Sequence, residues 1–95
     1  MKTQSEINQL ILEFEIREEM ENSFKAILEN HTIEDLDIEN KNISITSEKI
    51  EYGITEFGYH KFQVQILDER KIEIGYFALV ISKTNERIDD FFVIY

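Results

Sequence analysis

Residues 61–95 read KFQVQILDERKIEIGYFALVISKTNERIDDFFVIY. Phe62, Val64 and Ile66 alternate with Lys61, Gln63 and Gln65, the period-two pattern of a half-buried strand. Asp68-Glu69-Arg70-Lys71 and Lys83-Thr84-Asn85-Glu86-Arg87 are polar stretches of turn length. Between them Ile72–Ile81 reads as a long strand with Gly75 inside it, and Ile88–Tyr95 as the last strand. Strands joined by such short polar turns are antiparallel neighbours, so the spacing predicts a meander. Tyr76, Ala78 and Val80 fall on one face of the long strand, with Phe77, Leu79 and Ile81 on the other. Phe91, Val93 and Tyr95 likewise oppose Phe92 and Ile94. Both faces of this half are therefore apolar and both need cover.

Upstream, the pattern changes period. Thr3-Gln4-Ser5-Glu6 fits the capping box S/T-x-x-E, in which Thr3 caps the Glu6 amide and Glu6 reaches back. Ile7, Leu10, Ile11 and Phe14 follow at helical spacing, and Met20, Phe24, Ile27 and Leu28 resume it. No Gly or Pro interrupts residues 4–29, which are rich in helix formers. Leu10, Leu12, Phe14 and Ile16 also alternate with Glu13, Glu15 and Arg17, a strand pattern that competes over residues 8–17; the capping box favours helix. At 100° per residue the two apolar sets point roughly 90° or more apart. One straight helix would be about 39 Å long, too long for a small domain. A bend or break near Ile16–Glu19 is expected, giving one long bent helix or two helices, with a stop at Asn30-His31.

Thr32–Asp37 reads as one helical turn or an acidic loop, and Asn40-Lys41-Asn42 as a turn. Ile43 and Ile45 alternate, and so do Ile50, Tyr52 and Ile54; the phase slips at Ser47-Glu48, which needs a bulge or a turn. Gly53 and Gly58 bracket a connection. A single α+β domain over residues 1–95 is expected: a helical acidic front (4–30), a connecting segment (31–42) and an antiparallel sheet (43–95). The N-terminal helices pack on a four-stranded antiparallel meander. The layout is analogous to that of the cystatins, where a curved sheet wraps a helix; the analogy is architectural and carries no function. The second sheet face must meet residues 32–58, a second copy of the chain, or another protein.

Composition narrows the function. Twenty acids oppose ten bases among 95 residues, a net charge of −10. Residues 1–40 hold eleven acids and three bases, so −8 resides in the front of the chain. Such a surface repels nucleic-acid backbones and anionic lipid and attracts cations or basic proteins. There is no cysteine, so there is neither a disulfide framework nor a thiolate site. No apolar run spans a membrane, and the first residues lack the charged-then-apolar order of a signal peptide, so a cytoplasmic location is expected.

No catalytic constellation emerges. His31 follows a helix end, where a cation suits the dipole; His60 opens a strand; no G-x-S-x-G elbow accompanies either. No zinc, calcium or phosphate motif is present, and no metal or cofactor is implied. Glu18-Glu19, Asp68-Glu69 and Asp89-Asp90 are sequence neighbours that point apart, so none forms an acid–base couple. What remains is surface. Glu18, Glu19, Glu21, Glu34, Asp35 and Asp37 are candidate contacts to a basic protein, with Tyr52 or Tyr59 as an aromatic anchor. The sequence favours a small binding module, most sharply an immunity-type inhibitor that occludes the basic active site of a bacterial toxin such as a nuclease. The alternatives are a homodimeric helix-on-sheet protein with a small-molecule pocket, and a regulatory or scaffold subunit.

Overall fold

A computed structural model describes residues 2–95. Helix α1 spans Gln4–Glu13. The Thr3 hydroxyl accepts from the Glu6 amide at 3.2 Å. The same hydroxyl donates to the Glu6 carboxylate at 3.2 Å, so Glu6 reaches back to the cap's side chain rather than its amide. Phe14 ends the helix, and Glu15 takes a left-handed conformation (φ 51°) before α2 begins at Ile16 and runs to Asn30.

The helical reading of residues 8–17 holds, and the two-helix alternative is the one realised. The break falls at Phe14–Glu15, ahead of the expected Ile16–Glu19. The reason is the core. Ile11 and Ile16 are both buried, yet on one straight helix they would point about 140° apart. A single left-handed residue between them turns the chain so that both face the sheet. The cost shows at Leu12, which the alternating pattern leaves 67% exposed.

Helix α3, Ile33–Leu36, is one turn, with a complete capping box between Thr32 and Asp35. The C-terminal carbonyls of α2 receive their cation from Lys41, whose ammonium donates to the Leu28 carbonyl. His31, expected there, is an extended and exposed C-cap residue.

The sheet has five strands in four rows: β1 (Ser44–Ile45), β2 (Glu51–Ile54), β3 (His60–Leu67), β4 (Glu73–Ile81) and β5 (Arg87–Ile94). Both β1 and β2 pair antiparallel with β3, which pairs with β4, and β4 with β5. The four-row meander is as expected, but its first row is two strands. The phase slip at Ser47-Glu48 is a turn and not a bulge: the Lys49 amide donates to the Thr46 carbonyl at 2.9 Å. Thr46 also exchanges bonds with Gln65 of β3, its amide donating to the Gln65 carbonyl and its hydroxyl accepting from the Gln65 amide, each at 3.1 Å.

The three hairpins share one design. Thr55, Asp68 and Ser82 each open a turn with a short oxygen-bearing side chain that accepts backbone amides: Tyr59 for Thr55, Arg70 and Ile72 for Asp68, Thr84 and Glu86 for Ser82. Three residues on, Gly58, Lys71 and Asn85 take positive φ (82°, 65° and 65°). This is a type I turn closed by a left-handed residue, which suits the twist of an antiparallel pair.

One face of the sheet carries the core. His60, Phe62, Val64 and Ile66 of β3 lie opposite Ile81, Leu79, Phe77 and Gly75 of β4. Ile11, Ile16, Met20 and Phe24 come down on them from the helices. Phe24 meets Phe77 edge-on at 5.8 Å and stacks on Phe92 at 5.9 Å. Each such ring contributes about 1.5–3 kcal/mol through burial. Arg87, at the start of β5, pairs with Glu19 of α2 at 3.4 Å and with Asp90 of its own strand, tying the helical layer to the sheet.

Candidate functional site

The eight residues singled out from the sequence divide into four places. Glu18 and Glu19 sit in the first turn of α2 and line a small open cleft with Glu15, Asn22, Asn85 and Arg87. Glu21 is on the opposite flank of α2 from Glu19, about 160° around the axis at 100° per residue. Glu34 and Asp35 belong to α3 and Asp37 caps its C-terminus, at the other end of α2. All of these are exposed except Glu19, which is half-buried beside Arg87. The acids therefore form a dispersed negative layer over the helices rather than one patch. Among the described residues, Glu19 and Asp90 are the only acids paired with a base, and both pair with Arg87. No group of three His, Asp or Glu residues is placed to hold a metal ion among the described residues.

The two tyrosines lie on opposite faces of the sheet. Tyr52 faces the helices across from Phe62, and its hydroxyl lies 2.7 Å from His60 Nδ1. His60 is buried and packed by Phe14 (edge-on, 5.9 Å), Tyr52 and Phe62. Burial lowers the His60 pKa below its ordinary value, with Lys2 and Lys83 adding to the effect, and burial raises that of Tyr52. A neutral imidazole and a protonated phenol result, joined in one hydrogen bond inside the core. His60 is thus a satisfied core polar group.

Tyr59 belongs to the outer face. With Ile54, Phe57, Lys61, Val80, Ile88 and Phe91 it lines an open, mostly apolar depression of about 660 Å³. Phe57 is 77% exposed, and Ile54, Ile88 and Phe91 are exposed too. The middle of this face is covered by its own side chains, while Tyr95 at its far end is exposed. Lys61 reaches across the Ala78 row, its ammonium 5.8 Å from the Tyr76 ring centre and 6.0 Å from that of Phe91. Ala78 and Val80 are buried beneath as a result, the stem of a lysine doing what a second layer would otherwise do. Of residues 32–58, Ile54-Thr55-Glu56-Phe57 border the depression.

Sequence reasoning passed over Phe57 and Ile54, which become an exposed apolar pair only through the tight Thr55–Tyr59 turn. It also passed over Arg87, read as part of a polar turn. No helix among the described residues is long and apolar enough to cross a membrane. Comparison of the chain with protein-family models, curated proteins and solved structures finds no match.

Proposed function

We propose that this chain is a binding module for a basic protein, of the immunity type, acting by occlusion rather than by chemistry. One observation carries the reading: apart from Glu19, the acids of the helical layer are exposed and unpaired with any base among the described residues. Like charges on neighbouring helical positions each oppose the fold by about 0.2–0.5 kcal/mol. A cationic partner removes that opposition when it binds. Glu18, Glu21, Glu34 and Asp37 are the contacts we assign, the first two on α2 and the others in α3 and at its C-cap. If the partner is a nuclease, the acidic layer competes with phosphate for its basic cleft, and long-range attraction speeds the encounter. Tyr59, beside Phe57 on the outer face, is the better-placed aromatic anchor, since the Tyr52 hydroxyl is engaged by His60.

The test is capture from native cells by the tagged chain, alongside a variant carrying Glu18→Lys, Glu21→Lys, Glu34→Lys and Asp37→Lys. A basic protein retained at low salt, released at high salt and lost by the variant is the expected result. Adding the purified chain should then suppress that protein's activity. Equal capture by both forms would remove the acidic layer from the mechanism. Binding without inhibition would leave a docking module.

A further inference from the structure

We infer that β5 is an interface with a second copy of this chain, the two strands pairing antiparallel over residues 91–95 with Val93 on the two-fold axis. The inference does not depend on the proposed function. It begins with the backbone. The Tyr95 amide donates to the Ile74 carbonyl at 2.9 Å, while Ile94 lies opposite Gly75. That pattern makes Ile94 and Gly75 a non-hydrogen-bonded pair, so the amide and carbonyl of Ile94 point away from β4. By alternation those of Phe92 and Asp90 do too.

These three residues are not equivalent. The Asp90 amide is met by the carboxylate of Asp89 at 2.8 Å. The amides of Phe92 and Ile94 meet no acceptor among the described residues. The start of β5 is thus sealed by its own side chain, and its end is open. Opposite, the β1–β2 rim is short and interrupted, which is one way sheets avoid edge pairing. The open part of β5 has no such protection: it is uncharged, with Phe91, Val93 and Tyr95 on the outer face and Phe92 and Ile94 on the inner.

Charge and side chains select the occupant. A lysine- or arginine-rich segment laid along this stretch would set its cations against Phe91, Val93 and Tyr95, where the adjoining acid, Glu73, already accepts from the Tyr95 hydroxyl and from the Gln65 side-chain amide. A second copy fits without such a conflict. With Val93 facing its own copy, Phe92 lies opposite Ile94 of the other strand, and the two open residues exchange both of their bonds in each half. Phe91 lies opposite Tyr95, an aromatic cross-strand pair. Opposed residues share a face, as two-fold symmetry about an axis normal to the sheet requires. The two Asp90 residues end about 20 Å apart, at ~3.3 Å per residue, beyond the Debye length of ~8 Å at physiological salt. The result is one continuous sheet through two copies.

The experiment is the mass of the purified chain by sedimentation over a range of concentration and salt. A dimer of twice 11.4 kDa is expected. It should strengthen with salt, because each copy carries −10, whereas capture of a basic protein weakens with salt. Val93→Lys and Val93→Glu each place like charges on the axis and should be monomeric at concentrations where the natural chain is dimeric. Mixing the two should restore the dimer mass, a result that misfolded variants cannot give. A natural chain that stays monomeric up to submillimolar concentration overturns the inference. So does a dimer that survives both substitutions, or one that the mixture fails to restore.

Discussion

Gly75 is the residue at which the sheet tolerates least. A Cβ built there would lie 1.9 Å from the Val93 carbonyl oxygen and 3.0 Å from the Ile94 Cα, both backbone atoms that move only with β5. Gly75→Ala should destabilise the protein by about 1–3 kcal/mol, as overpacking of a filled site does, measured by urea unfolding. An unchanged midpoint would mean that β5 is not held this close. His60 makes the second prediction at this scale. Its folded pKa is lowered, so the unfolded chain binds the proton more tightly. The stability linked to His60 is present above pH 6.5 and is lost as the pH falls through the folded value. Imidazole proton shifts should show His60 titrating below 6.5, and the stability gap between the natural chain and His60→Phe should narrow over that interval. Titration above 6.5 would refute the buried Tyr52–His60 pair. From sequence, His60 was legible as structural because no partner motif accompanied it. Its tyrosine partner was not, because cross-strand neighbours are set by register and not by spacing.

At the scale of elements, the N-terminal helices show what periodicity can and cannot give. The turn of about 90° between the apolar set at residues 7–14 and that at 20–28 announced a break. It could not place the break, because Phe14 and Ile16 fit either flanking helix; only the demand that Ile11 and Ile16 both reach the sheet fixes it at Glu15. Glu15 carries the left-handed conformation without the freedom of glycine. Glu15→Gly should stabilise the protein by about 0.5–1 kcal/mol in thermal or urea unfolding, where a continuous helix would lose a similar amount from the same change. The sign of the shift decides between the two geometries. The hairpins were legible for a local reason: Asp68 and Asn85 are turn residues with known preferences. The split of the first row was read only as a phase slip, since two residues of β1 are too few to carry a pattern.

For the whole molecule, charge is the dominant unbalanced quantity. A net −10 on 95 residues, with both ion pairs among the described residues made through one arginine, leaves the folded state under self-repulsion. Raising sodium chloride from about 0.01 M to 0.15 M shortens the Debye length from ~30 Å to ~8 Å. The thermal midpoint should rise over that range; a falling midpoint would mean that attractive pairs outweigh repulsion. The α+β architecture followed from two periods and a face count, which are properties of the entire chain. The acidic candidates were legible only as a total. Which of them share a surface depends on the path after Glu15, and the structure spreads them over both flanks of α2 and the far turn of α3.

The two rims of the sheet are unequal, one interrupted at Thr46–Lys49 and the other half sealed by Asp89. A fibre grows when the last strand of one molecule accepts the first strand of the next, again and again. Here the longest run on the interrupted rim is the four residues of β2, and in the pairing inferred for β5 the half-sealed rim meets only its own copy. Growth by this route ends at the first encounter. A chain with aromatic residues crowding its final strand is thereby steered towards a closed assembly instead of a filament, and concentrated solutions at neutral pH should remain free of thioflavin-binding material.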